Sequence, residues 1–282
     1  MTDYRSPTTE HRFSIMHESF SLSRGKLVSF LTCQRQFQLR YLQRLPWPVV
    51  PLAEPSQALL DRGQQFHQLL QRHFLGLEII PAAIADDAVR RWWSLFQRYQ
   101  AALPHGRFLT EISLTVPLDG ALLNGRFDLL ILGEKDGTPF AHLFDWKTGK
   151  AQDEATLRQD WQTRLYLALL AAGGAALLPP GHALLPEQIA ITYWYVTEPD
   201  APRTLHYNTA WHTQNWADLA ALVAQITALD VEEPWPLIAD WSACQNCAYR
   251  VLCGRQDAGS QPVVNPDEEA ALLDWALEPE LP

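Results

Sequence analysis

Leu123-Asn124-Gly125-Arg126-Phe127-Asp128, then Asp145-Trp146-Lys147-Thr148-Gly149, then Gln162-Thr163-Arg164-Leu165-Tyr166: the fold is decided by how these three blocks are read. Residues 121–132 are mostly apolar, residues 133–139 carry turn formers, and residues 140–146 are a second apolar run. Two such runs around a Glu-Lys-Asp-Gly turn predict a β-hairpin with a longer loop. Asp128 then sits inside the first strand and Asp145 near the end of the second. An ionised carboxylate in an apolar strand is costly unless something pairs with it. A divalent cation is a natural partner, because hard oxygen ligands suit magnesium or manganese. Asp145 and Lys147 are two apart, so a strand points both to one face. From Ala155 the pattern turns helical, and Gln162 and Tyr166, four apart, share one helix face.

Singly, these blocks are weak. An isolated Asp-x-Lys is most often a solvated strand end. In this order and spacing, however, they resemble the PD-(D/E)XK nucleases of the RecB-like branch. The resemblance implies a restriction-endonuclease-like α/β fold: a helix, a three-strand meander, a helix and a further strand, in a mixed central sheet with added helices. It implies metal-dependent hydrolysis of phosphodiester bonds in DNA, exonucleolytic, with Mg²⁺ or Mn²⁺. In its terms Asp128 and Asp145 bind the metal, the Trp146 carbonyl adds a ligand, Lys147 assists the attacking water, and Gln162 and Tyr166 line the site. Gly63-x3-His67, on a helix predicted over 56–77, resembles the first motif of that branch, which would turn His67 toward the metal. A lone helical histidine is otherwise most often a structural residue, and His73 is read as one. Glu111 lies on a strand predicted over 107–118, on one side with Ser113 and Thr115. It matches a glutamate often found before Gly-Arg-x-Asp, and is read either as a metal-proximal carboxylate or as a surface glutamate.

The four cysteines are Cys33, on a helix predicted from an N-cap at Ser23 to about Leu45, and the group Cys244-x2-Cys247-x5-Cys253. By themselves they read as free thiols or a zinc site, although zinc ribbons usually bring two close Cys-x2-Cys pairs. Disulfides are disfavoured in a cytosolic chain. One remote cysteine plus a close trio resembles the iron–sulfur staple of the AddB and CRISPR-associated RecB-like nucleases. That resemblance implies a [4Fe–4S] cluster on Cys33, Cys244, Cys247 and Cys253, with zinc as the second choice.

At 282 residues the chain can hold one large domain or two small ones. Its net charge of −10 argues against a nonspecific polyanion binder. The charge is uneven: residues 1–141 hold 15 Lys/Arg against 13 Asp/Glu, and residues 142–282 hold 7 against 19. A path for DNA, single-stranded or at duplex ends, is therefore expected on the N-terminal half. Residues 85–103 form an amphipathic helix whose Trp92, Trp93, Phe96 and Tyr99 read as core rather than as base-stacking platforms, and whose Arg90, Arg91 and Arg98 are within reach of phosphate but read first as a solvated face. A strand over 188–197 and a helix over 211–229 follow the site.

Residues 1–20 read as a flexible arm, 21–256 as the nuclease domain and 257–282 as an acidic tail. The first twenty residues lack the apolar segment of a signal peptide, and the apolar run 165–178 is too short to span a bilayer. A cytoplasmic protein with no membrane partner is expected. No GxxxxGK[ST] occurs, so the chain carries no motor of its own. A helicase or a CRISPR-adaptation partner is left open, as is the rival reading of a catalytically silent, DNA-binding scaffold subunit.

Overall fold

The computed structural model describes residues 20–46 and 54–259. The arm expected over 1–20 and the tail expected over 257–282 lie outside the described residues, except Phe20 and residues 257–259.

The central hairpin is β3 (Ala121–Lys135) and β4 (Thr138–Lys147). Its turn is tighter than the longer loop expected. Pairing runs out to Lys135 and Thr138, leaving only Asp136 and Gly137, with φ of 54° and 75°. Both central residues of this two-residue turn need a positive φ, and an Asp-Gly pair adopts it with little strain. The strands therefore extend through residues that composition alone marks as loop.

β2 (Arg107–Leu118) lies antiparallel along one whole edge of β3. The other edge is shared. β1 (Phe20–Leu22) pairs parallel with Ala121–Leu123, and β4 pairs antiparallel with Leu129–Lys135. Between these, residues 124–128 have no strand partner on that edge among the described residues, and this gap becomes the site. β5 (Ile189–Tyr195) runs parallel to β4, and β6 (Arg203–His206) antiparallel to β5, completing a six-stranded mixed sheet. The β2–β3–β4 meander, the helical crossover and the parallel strand β5 are the expected restriction-endonuclease-like core.

The helices form layers on both faces. α3 (Glu54–Phe74) and α4 (Asp87–Tyr99) pack Phe66, Leu70, Trp93 and Phe96 against Leu129, Ile131, Phe144, Trp146 and Trp194. On the other face lie α6 (Trp161–Gly173) and α7 (Thr209–Ala228). α5 (Glu154–Gln159) precedes α6, so the helical pattern that begins near Ala155 is two helices. Asp160 breaks it: its backbone is extended and its carboxylate accepts the Gln162 N–H at 2.7 Å. An aspartate that bonds the backbone nearby favours a cap over a continuing helix.

The N-terminal helix is also broken. Ser23 caps α1 (Arg24–Thr32), accepting from the Lys26 N–H, as expected. Cys33 does not lie within a helix to Leu45. Its φ of −160° and ψ of 112° separate α1 from α2 (Gln34–Phe37), and a π-helical turn follows over Gln38–Leu42. The fully buried Gln38 sits at the start of that turn. Its Nε2 donates to the carbonyls of Val231 (3.1 Å) and Glu233 (2.7 Å), and its Oε1 accepts the Trp235 N–H at 2.9 Å. The Trp235 ring stacks on Phe37 at 5.8 Å. Tertiary bonds to a distant segment thus override the local helical pattern.

Candidate metal and catalytic site

The site begins with a kink. Leu114, Val116 and Leu118 of β2 pack beneath α6, yet so does Leu109, while Phe108 stacks on Phe74 of α3. The alternation shifts by one at Glu111, whose φ is 53°. β3 shifts at the same level: Phe127 and Leu130 face α6, and Leu129 faces α3. A non-glycine residue in left-handed backbone costs about 1–3 kcal/mol. Here it turns Glu111 inward, opposite Asp128, while Ser113 and Thr115 stay exposed. The regular strand expected over 107–118 is thus kinked at Glu111.

Three potential ligand atoms, one each from His67, Glu111 and Asp128, all lie within 4.8 Å of one another. His67 Nδ1 is 3.5 Å from Asp128 Oδ2, and the Arg126 guanidinium holds Glu111 at 3.1 Å. Gly63, one turn before His67, brings α3 against the end of β4: a Cβ there would meet Thr148 Oγ1 at 3.3 Å. His73 is elsewhere, ringed by Phe74, Trp93 and Phe96, and burial lowers its pKa, as befits a structural histidine.

Across the gap, Asp128 Oδ2 accepts the Trp146 N–H at 3.0 Å. An extended residue directs its N–H and C=O to the same edge, so the Trp146 carbonyl faces this gap too, while its indole is buried on the α4 side. Asp145 and Lys147 point to the opposite face of β4 from Trp146. Lys147 Nζ lies 2.8 Å from Asp145 Oδ1 and donates to Gln162 Oε1 at 3.1 Å; Gln162 Nε2 donates to Asp145 Oδ2. Tyr166, one turn on, packs edge-on against Phe127 at 5.0 Å. A Cβ at Gly125 would come within 2.9 Å of both Tyr166 and Leu169, so glycine there permits α6 to approach β3.

The two aspartates differ electrically. Burial pushes the Asp145 carboxyl up to about 6, against the pull of Lys147. Burial also raises Asp128, but the charge and hydrogen bond of His67, the Trp146 amide and Lys147 together bring it below the usual carboxylate range. Burial and the neighbouring Asp128 charge raise Glu111. Carboxylates crowded this closely favour a bound cation, and oxygen donors with one imidazole suit Mg²⁺ or Mn²⁺.

The structure therefore brings His67, Glu111, Asp128, Asp145, Trp146, Lys147, Gln162 and Tyr166 to one gap in the sheet. Sequence reasoning assigned no role to Arg126, although it was quoted between Gly125 and Asp128. Its signal is a lone cation two residues before Asp128 in a mostly apolar strand. It also missed the Thr163–Tyr193 hydroxyl pair at 2.7 Å beneath Lys147.

The four cysteines lie close enough to act on one another electrostatically and form no disulfide. Burial pushes the Cys247 thiol up to about 11, and Cys253, Cys33 and Cys244 each add to the shift. The Arg255 guanidinium is 3.9 Å from the Cys244 sulfur, and Arg35 acts on Cys253.

Residues 21–254 match the sequence model of the PD-(D/E)XK nuclease superfamily, and the chain belongs to it. A search of curated proteins finds no match. Among solved structures, a protein from Eubacterium rectale described as "Putative exonuclease" is 12% identical, with a TM-score of 0.52. The alignment covers 92% of this chain and 97% of that one. The crystal structure of SSO0001 is 15% identical over 86% of this chain and 90% of its own, but a TM-score of 0.38 carries no argument. Among the described residues no helix is long and apolar enough to cross a membrane.

Proposed function

We propose that the chain is a metal-dependent DNA exonuclease of the cytoplasm. The observation that carries this reading is the gap between β1 and β4 on β3. A His–Glu–Asp group lines one side, and the Asp145–Lys147–Gln162 triad faces it from the other. His67, Glu111, Asp128, Asp145 and the Trp146 carbonyl would hold Mg²⁺ or Mn²⁺, which supplies Lewis acidity toward water and neutralises phosphate charge. Lys147 is set to hold a hydroxide nucleophile or the developing phosphate charge, because its ammonium is anchored by Asp145 on one side. Gln162 fixes the Asp145 rotamer, and Tyr166 walls the gap. Arg126 keeps Glu111 turned inward.

The cysteine group fits a [4Fe–4S] cluster: four thiols from two distant segments, flanked by Arg35 and Arg255 to offset its negative charge. Such a cluster would tie the break at Cys33 to residues 244–253 and take no part in cutting. A helicase or CRISPR-adaptation partner would supply unwound substrate, since the chain has no motor motif.

The test is cleavage of end-labelled single- and double-stranded DNA. Cutting from ends with Mg²⁺ or Mn²⁺, abolished by EDTA, supports the reading. A folded protein that binds these DNAs and cuts neither with either metal would be the silent scaffold instead.

A further inference from the structure

The outer face of α4 holds a cavity of about 640 Å³ lined by Asp87, Arg90, Arg91, Trp92, Leu95 and Arg98, with Val196 as its other wall. This is within the range of about 300–1,000 Å³ typical of pockets that hold small ligands. The sequence reading treated these arginines as a solvated stripe. Two features say otherwise. Arg90 is occupied, bonding the Ile84 carbonyl and pairing with Asp87, but among the described residues no ion pair is recorded for Arg91 or Arg98. Both are exposed, and they stand seven residues apart on one helix face, about 10 Å along the axis, close to three nucleotide steps of a stacked strand. Between them the floor is apolar, with the half-buried Trp92 and Leu95 offering a surface on which an unpaired base can stack.

Contacts through the core also link the cleft to the site. Trp92 packs edge-on against Phe66 at 5.8 Å, next in sequence to His67. The Val196 N–H donates to the Lys147 carbonyl at 3.0 Å. Each wall of the cleft thus touches a residue adjoining a proposed active-site residue. In a chain of net charge −10, paired cations over an apolar floor are complementary to a phosphate backbone bearing exposed bases.

We infer that this cleft is a single-stranded DNA track: Arg91 and Arg98 hold phosphates, and Trp92 and Leu95 receive the base between them. The inference rests on the nuclease reading and adds to it the strand form and its path over α4. A duplex would not fit it, because paired bases present no free face to the apolar floor.

The experiment is fluorescence anisotropy of a labelled oligothymidylate of about 15 nucleotides, near the upper end of known site sizes. It uses the full chain in EDTA, so that binding is read without cutting. Arg91→Ala with Arg98→Ala should weaken binding at least about tenfold and lower the salt slope by about 1.4, since each single-strand phosphate contact contributes about 0.7. Ser94→Glu, an exposed change that leaves Trp92 untouched, should weaken binding in the same sense. Hydrolysis of a dinucleotide too short to reach the cleft should be unchanged in both variants. If the wild type cuts DNA while oligothymidylate affinity and salt slope stay unchanged in the variants, the track is wrong and the nuclease reading stands. If a folded wild type neither cuts nor binds any DNA, both are wrong. Tighter, Arg91-dependent binding of polyglutamate than of oligothymidylate would overturn the track in favour of an acidic protein partner.

Discussion

The gap on β3 and the cysteine group are built by opposite means. At the gap, Asp128, Asp145, Lys147 and Gln162 come from neighbouring stretches of chain; Asp128 accepts the Trp146 N–H, and Asp145, Lys147 and Gln162 bond one another through their side chains. A sheet buried under two helical layers holds them. The cysteine group joins position 33 to positions 244–253, and its thiols share no disulfide. What aligns it is a separate anchor, the buried Gln38 with its bonds to Val231, Glu233 and Trp235. One region is preorganised by the fold, and the other depends on contacts between segments far apart in sequence. Damage to the second should therefore cost stability, and damage to the first should cost chemistry.

The largest expected effect tests the staple. Cys33→Ala should remove the cluster and destabilise the chain by about 5 kcal/mol, the scale for a cross-link closing a loop of a hundred residues or more. Purified without oxygen, the wild type should be brown and hold about four iron and four sulfide. One zinc with no labile sulfide would replace the iron–sulfur reading with a zinc staple. If the melting temperature of the variant does not move, the contrast between the regions collapses.

Asp145→Ala tests the other half. Cutting should fall by at least about 10² to 10³ fold, the scale of losing one preorganised electrostatic group. The melting temperature should hold or rise, because a buried carboxylate raised to about 6 is a burden without its cation. Single-turnover rates alongside thermal melts decide it, and a variant that cuts at the wild-type rate would remove Asp145 from the mechanism. Gln38→Ala is the intermediate case. Its Oε1 partner, the buried Trp235 N–H, would be left unpaired, at about 1–3 kcal/mol for a buried unsatisfied group. Stability and cluster content should fall together, with the single-turnover rate of folded protein unchanged.

These contrasts also explain what the sequence made legible. The meander, the crossover helix and the parallel strand follow from apolar runs and their periods, and every proposed site residue reaches one place. The breaks were hidden. Glu111 lies in a run that alternates like any strand, yet its φ is 53° and it drops out of the pairing between Thr110–Leu129 and Ile112–Phe127. Cys33 lies in a pattern that reads as helix because the partners that bend the chain are nearly two hundred positions away. The Asp136-Gly137 turn was misjudged for a different reason. Glu134 and Lys135 look like loop residues, yet they pair on an exposed hairpin end where polar side chains face water. Local pattern specifies the elements, and long-range bonds decide where they bend.

The smallest effect concerns the sheet alone and sharpens the comparison by assigning it a property the staple lacks. His142 lies on β4, its ring stacked on Phe144 at 4.4 Å and its Nε2 2.7 Å from Thr192 Oγ1. Burial, with some help from the charge of His206, depresses its pKa from 6.5 to about 4. A histidine depressed in the folded state is neutral there while the unfolded chain takes up a proton. Stability from this group is therefore complete above about pH 6.5 and is lost as pH falls toward 4. The loss should amount to about 2 kcal/mol, less than the full shift converts to because the ring keeps some contact with water. His142→Gln, which can still reach Thr192, should remove this slope. Urea midpoints at a series of pH values from 7 to 4, as ~0.5-unit steps across the titration, measure it in both proteins. The same slope should survive in Cys33→Ala, because burial and His206, not the cysteines, set the His142 shift. Parallel curves for wild type and His142→Gln would show that His142 titrates no differently in the folded chain, and the acid sensitivity would then belong elsewhere.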